Sequence, residues 1–352
     1  MPVVIPILDQ GLLQSPNDTF RFPEIYVAAI NNAKIFGGTN LVLTKNGVIC
    51  HDLYDFTLDY TSEELHGRIL INPKSNKMRW LLHDKAPEQI TVAATFVDAC
   101  ANNYAHWITE VLPRIAMFCS DERFKSISIV VNDALHKNIM ESLLVVVGNE
   151  REIITLPIGR ALIVDLLYVT SVAGYVPFER RSTKLSGHSD GIFSPYALEL
   201  LRNNVYKHSD KDVQQDWPEK VYLRRNSGTR KVINAIELEN LLVSRGYKIV
   251  EPEKLTFLQQ VQLFRNAKNI LAPTGAGLSN AVFCRPGTQV IVLMAKHKNM
   301  IYRYWYNMLS PIKIKVSYVL GQIVESKSLG IHGDFAVDIS DVLHLLDVLE
   351  NK

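Results

Sequence analysis

Three short stretches of this 352-residue chain combine residue types that chemistry uses. The first is Ala272-Pro273-Thr274-Gly275-Ala276-Gly277-Leu278-Ser279-Asn280, which follows the apolar run Asn269-Ile270-Leu271-Ala272. It reads as a strand-to-helix turn. Glycine lets a backbone approach a ligand closely and reach positive φ. The first N–H groups of a helix have no internal partners and sit at the positive end of its dipole. Together these features make an anion cradle of Thr274, Gly275, Ala276, Gly277 and Leu278. Asn280, in the first turn, could bond a ribose, a phosphate or the loop. A bare G-x-G also fits a tight turn that binds nothing. The third glycine of the dinucleotide fingerprint is missing, as is a suitably placed acidic residue, which counts against NAD.

The second stretch, Tyr222-Leu223-Arg224-Arg225-Asn226-Ser227-Gly228-Thr229-Arg230, is followed by Lys231 and Asn234. A strand ending at Leu223 releases a basic loop. In doubly wound sheets, ligands bind at the carboxyl ends of strands, so this loop and the glycine turn share an edge. Arg224, Arg225 and Arg230 suit a pyrophosphate, which a guanidinium can grip bidentately. The plain alternative is a solvated charged loop.

The third stretch runs from Asn103-Tyr104-Ala105-His106-Trp107 to Glu110-Val111-Leu112-Pro113-Arg114. On a helix, His106 and Glu110 stand at i and i+4 and share a face. They could act as a general base and its orienting group, with Trp107 as a platform for a sugar ring and Asn103 one turn earlier. The same spacing fits an ordinary helix-face pair. A metal would need a third ligand, which is not evident.

The elements that must position these groups follow from periodicity. Asn40–Thr44 and Val48–Cys50 read as a hairpin about an Asn-Gly turn, and Gln89–Phe96 as a strand. Trp107, Ile108, Val111, Leu112 and Ile115 mark a helix over Tyr104–Met117. Strand and helix then alternate, which predicts a parallel sheet. His208–Lys220 is the most linker-like stretch. Beyond it come strands at Lys220–Leu223, Lys248–Val250, Asn269–Ala272 and Gln289–Met294. Helices are expected at Ile236–Arg245, capped by Gly246, at Thr256–Asn266 and at Leu278–Cys284. An amphipathic helix closes the chain at Ile339–Leu349. Expected domains are 1–208, 209–335, and a 336–352 helix packing back on the first.

Composition is that of a globular protein: 47% hydrophobic and 21% charged, with a net charge of +2. That balance gives no case for nucleic acid as a partner. Cys50, Cys100, Cys119 and Cys284 match no zinc or disulfide pattern. No run of about 18 apolar residues occurs, and the first residues lack the basic segment of a signal peptide. The expected place is the cytoplasm, including the inner face of the membrane as a peripheral protein.

The three motifs in this order resemble glycosyltransferase family 61. The resemblance runs over roughly Val92 to Met294 and includes Gly246-Tyr247 to Glu251 and Leu255 to Phe264 with Gln260. It implies an α/β enzyme of the GT-B type, two Rossmann-like domains facing a central cleft. It also implies an inverting transfer of a sugar from a nucleotide-sugar, usually UDP-linked, to a glycan or lipid-linked glycan acceptor, as in bacterial capsular and other surface polysaccharide synthesis. The Arg224–Arg230 loop and the Thr274–Asn280 turn would face the donor diphosphate. His106 and Glu110 would serve the acceptor, with Asn103, Trp107, Arg114, Asn234 and Glu251 elsewhere in the cleft. The family often has His where this chain has Thr274, and a hydroxyl cannot carry that charge. The one Asp-x-Asp triplet, Asp210-Lys211-Asp212, lies in the linker-like stretch, so no metal or other cofactor is expected and arginines must steady the departing diphosphate. Two other readings remain open here: an epimerase or hydrolase of nucleotide-sugars on the same fold, and a non-catalytic glycan-assembly protein, which Thr274 encourages.

Overall fold

The computed structural model describes residues 2–6, 20–56, 59–177, 190–209, 216–226, 228–297, 300, 302–324 and 332–350. The chain forms two compact units. One comprises Met1–Phe20, Ser186–Pro195 and Ser209–Lys352; the other comprises Arg21–Leu185 and Tyr196–His208. They are called the carboxyl-terminal and amino-terminal units below. The Asp210-Lys211-Asp212 triplet, most of the loop at 182–194 and part of the linker-like stretch lie outside the described residues.

The carboxyl-terminal unit is built on a parallel sheet in the order Lys248–Val250, Lys220–Leu223, Asn269–Pro273, Gln289–Ala295, Lys315–Ile323, Val3–Ile5. Counted along the chain from Lys220, its first five strands lie in the order 2-1-3-4-5. Residues 289–295 are buried throughout, as a strand covered on both faces must be. Two of the connecting helices, Ala235–Ser244 and Phe257–Asn266, begin and end within a residue of the expected bounds. Thr256 and Gln259 form a capping box at the start of Phe257–Asn266. Gly246, with φ 82°, follows Ala235–Ser244 in the left-handed conformation that glycine tolerates. The closing helix Ile339–Glu350 packs on Val3–Ile5, Lys315–Ile323 and Ala235–Ser244, all within this unit.

The amino-terminal unit holds a seven-stranded sheet in the order Gly47–Ile49, Val42–Thr44, Val27–Phe36, Ala161–Thr170, Glu88–Thr95, Ile129–Asn132, Ile153–Leu156. The last four strands run parallel. Val27–Phe36 pairs antiparallel with Ala161–Thr170 over their full length, so the sheet is mixed where the sequence alternation predicted a parallel one. Val27–Phe36 contains Asn31 and Asn32, poor strand formers. Tertiary pairing overrides that propensity. Its core joins Ala33, Ile35, Val42, Ala93, Val130, Val164 and Leu167.

Candidate functional site

In the carboxyl-terminal unit, the 2-1-3-4-5 order reverses direction between Lys220–Leu223 and Asn269–Pro273. Ligands of doubly wound sheets bind beyond the carboxyl ends of strands at such a reversal. The two loops that leave those ends are the arginine loop and the glycine turn, and they meet. A Cβ on Gly275 would stand 2.0 Å from Arg225 Nη1. Gly275 therefore lacks a side chain because a guanidinium occupies the space. Its φ of 171° is extended backbone, and Gly277 does not adopt positive φ. The expectation that these glycines supply positive φ is corrected: close approach is what Gly275 provides. The following helix is a 3-10 helix, Ala276–Phe283, which begins two residues before the expected Leu278. Ala276 and Gly277, its first two residues, are half-buried, and their N–H groups precede any intrahelical bond.

The three arginines have different fates. Arg224 is held by carboxylates. Its Nε donates to Glu239 at 2.7 Å, its Nη2 to the same carboxylate at 2.5 Å, and its Nη1 to Glu251 at 3.2 Å. These bonds hold its pKa above the ordinary range. Glu251 also pairs with Lys254. Arg224 and Glu251 therefore brace one another, and both line a groove together with Trp217, Ile249 and Leu255. Arg225 and Arg230 have no carboxylate within ion-pair distance among the described residues. Arg225 Nε donates to the Thr229 carbonyl at 2.8 Å. Burial lowers its pKa, while Asp334 opposes the shift. Arg230 takes the left-handed conformation, φ 59°, and its buried Nε meets no partner among the described residues. Burial, then repulsion from Arg225, lowers its pKa to about 10. Two neighbouring like charges are thus held half out of water, with the charge of Asp334 opposing the shift of Arg225 alone.

Other expected ligands are structural. Asn280 is fully buried and its Nδ2 donates to Gln260 Oε1 at 2.6 Å, tying the turn to Phe257–Asn266. Asn234 exchanges two bonds with the Val337 backbone, at 2.8 and 3.1 Å. Thr274 is buried, and its hydroxyl accepts the Trp305 indole N–H at 3.0 Å. A small hydroxyl packed under Trp305 is the local reason for threonine at this position. Leu278 is likewise buried. Asp334, which accepts the Lys231 N–H at 2.8 Å and so latches the arginine loop, had no local signal in the sequence. Its partner lies 103 residues away.

In the amino-terminal unit, Asn103 caps the predicted helix by accepting the Ala105 N–H at 3.0 Å. The helix is not uniform: a π turn at Trp107–Val111 separates Tyr104–His106 from Leu112–Cys119. Pro113 has no N–H to give the α-helical ladder, and π turns often occur at functional sites. His106 Nδ1 and Glu110 Oε1 are 2.5 Å apart, with 13% and 16% of their side chains exposed. Burial pulls the imidazole pKa down. The Glu110 charge, its hydrogen bond and Asp98 outweigh that, so the net shift is upward. Arg114 is buried, with its Nε donating to the Glu110 carbonyl at 3.0 Å and its Nη2 to Asp98 at 3.2 Å. Asp98, another residue not foreseen, is fixed by Asn132, which bonds both its N–H and its carbonyl at 2.9 Å.

Trp107 is not a sugar platform. It is fully buried, and its indole N–H donates to Ser142 at 2.8 Å. The signal was present, since Trp107 belongs to the apolar stripe that predicts the helix. Trp107→Ala should therefore cost about 3–5 kcal/mol of stability. Chemical unfolding of the variant measures this loss; a ring that served only a ligand would leave the unfolding midpoint unchanged.

Among the described residues, no cluster of His, Cys, Asp and Glu side chains is arranged to hold a metal ion, and no helix is long and apolar enough to cross a membrane. The four cysteines are unbridged.

The chain is thus α/β, with parallel strands in both large sheets, and its arginine loop meets the glycine turn at a strand-order reversal. A family model described as Glycosyltransferase 61 matches residues 104–291, more than half of the chain. The chain belongs to glycosyltransferase family 61 and is a glycosyltransferase. No curated protein matches it.

Proposed function

We propose that the protein is an inverting, metal-independent GT-B glycosyltransferase. Its carboxyl-terminal unit holds the donor, a UDP-linked or related nucleotide-sugar, and its amino-terminal unit serves the acceptor, a glycan or lipid-linked glycan of surface polysaccharide synthesis on the cytoplasmic side of the membrane. One observation carries this reading: at the strand-order reversal Arg225 packs against Gly275, and neither Arg225 nor its neighbour Arg230 has a carboxylate within ion-pair distance among the described residues. A diphosphate supplies the charge that the pair lacks. The acceptor hydroxyl gives its proton to the His106–Glu110 pair, and its oxygen forms the new bond to the anomeric carbon. The bond to the diphosphate breaks, and Arg225, Arg230 and the Ala276 and Gly277 N–H groups receive the departing charge. Membership in the family speaks against the epimerase or hydrolase and the non-catalytic readings.

Titration with UDP, GDP and CDP tests the donor assignment. At least one should bind, with the same affinity in EDTA as without it. Loss of binding in EDTA would refute metal independence, and no binding by any of the three would refute the donor site.

A further inference from the structure

The donor reading uses the carboxyl ends of Lys220–Leu223 and Asn269–Pro273 and leaves the groove beside them without a role. That groove has a volume of about 890 Å³ and is lined by Lys248–Val250, the edge strand of the same sheet. Ligand sites typically measure about 300–1,000 Å³. Half-buried Ile249, Val250 and Leu255 give it an apolar wall, and Arg224, Glu251 and Lys254 line it with charge.

Three contacts join the groove to the anion cradle. Arg224 is the chain neighbour of Arg225, whose guanidinium fills the space over Gly275. Asn226 Nδ2 donates to Glu253 Oε1 at 2.6 Å, tying the arginine loop to the turn that follows Lys248–Val250. A Cβ on Gly277 would lie 3.9 Å from Pro252 Cβ, next to Glu251. The arginine loop, the glycine turn and one wall of the groove are therefore contiguous.

Glu251 supplies the polar chemistry. In doubly wound dinucleotide domains an acid about 20 residues beyond the first strand–helix turn accepts from a ribose 2′-hydroxyl. Sought after the glycine turn, which follows the third strand from Lys220, that acid is missing. The sheet order makes Lys220–Leu223 the first strand, and Glu251 directly follows the second. Bonds from Lys254 and Arg224 hold its carboxyl below the usual carboxylate range. It therefore stays ionised, and with 18% of its side chain exposed its oxygens keep lone pairs for a hydroxyl. The apolar wall suits the face of a planar base better than a hexose, whose ring carries hydroxyls around its rim.

We propose that the nucleoside of the donor lies in this groove, its base against Ile249, Val250 and Leu255 and its ribose 2′-hydroxyl donating to Glu251, so that ribonucleotide-linked sugars are selected over deoxyribonucleotide-linked ones. This inference rests on the assignment of the diphosphate to Arg225, Arg230 and the glycine turn.

Titration of the full-length protein with UDP, GDP and CDP beside dUDP, dGDP and dCDP tests it. The ribonucleotide that binds best should bind about 10- to 100-fold more tightly than its 2′-deoxy counterpart, the effect of one hydrogen bond to a charged group. In Glu251→Ala that preference should vanish, while the deoxynucleotide, still bound, reports an intact cradle. Should Glu251→Ala bind no nucleotide at all, Glu251→Gln takes its place, and its preference should narrow to below about tenfold, as for a bond between neutral groups. A parent enzyme that binds both forms alike overturns the proposal, and so does a variant that keeps the full preference. A variant that keeps it but no longer tells a UDP-sugar from UDP would seat the sugar in the groove, which also overturns it. Binding of no nucleotide by the unmutated protein would instead sink the donor assignment.

Discussion

Arg225→Ala should weaken UDP binding by about 10- to 100-fold, because a charge-assisted bond to phosphate contributes about 1.5–3 kcal/mol. Among the described residues the side chain has no carboxylate within ion-pair distance, so removing it should cost the ligand contact without freeing a buried acid. Arg224→Ala should behave differently. It leaves Glu239 and Glu251 without their shared cation, so its first effect should be on stability, with a smaller effect on UDP affinity. Gly275→Ala offers a control that removes no charge. The added methyl would meet Arg225 Nη1 at 2.0 Å, and the guanidinium, tethered at Nε to the Thr229 carbonyl, must swing away. Its UDP affinity should fall toward that of Arg225→Ala, and combining the two substitutions should cost less than their sum, as expected for residues in contact. Calorimetric titration of the four proteins decides the matter. Equal losses for Arg224→Ala and Arg225→Ala would mean that the donor is gripped by the loop as a whole.

That contrast between adjacent arginines shows where sequence reading stops. Both follow the same strand and carry the same charge. What separates them is Glu239, 15 residues downstream on a helix, and Gly275, 50 residues downstream on a turn. Such partners are fixed by the sheet order, and sheet order is not a local property. The features that were legible are those that local physics dictates: the Thr256 cap, the Gly246 stop, the hairpin over residues 42–49 and the strand–helix rhythm of residues 220–295. His106 and Glu110 were legible for the same reason, since four residues along a helix is a local distance. Trp107 was misassigned because aromatic chemistry was weighed above the apolar stripe to which it belongs. The carboxylates at Asp52, Asp59 and Glu63 gave no pattern at all. They lie in a region of short turns, and only the folded unit ties Asp52 to Asn40, Asp59 to Tyr175, and Glu63 to Thr39, Tyr54 and Ser62. Val27–Phe36 was missed because its asparagines hide a strand that its neighbour stabilises.

His106→Ala should lower kcat by about a hundred- to ten-thousand-fold, the contribution of a positioned general base. The pH dependence identifies the proton acceptor. The imidazole pKa is raised above its ordinary 6.5, so at a given pH more of the unliganded enzyme carries an imidazolium, which cannot accept a proton, than an unperturbed imidazole would. If His106 is the base, kcat/KM should rise with pH through that elevated value, giving an acid limb above pH 6.5. The linked stability runs the other way. Favourable pairing of the imidazolium with Glu110 is fully present below the unfolded pKa and is lost as pH rises through the folded one. Glu110→Gln then separates the two candidates. It removes the charge and the charged hydrogen bond that raise the His106 pKa, while burial, which lowers it, remains. With His106 as base and Glu110 as its orienting partner, the variant keeps partial activity and its acid limb moves to lower pH. With Glu110 as base, the variant loses activity by as much as His106→Ala and no pH restores it. A pH–rate profile of the two variants against the parent enzyme makes the assignment. An acid limb that stays in place in Glu110→Gln would remove the His106–Glu110 pair from the proton transfer altogether.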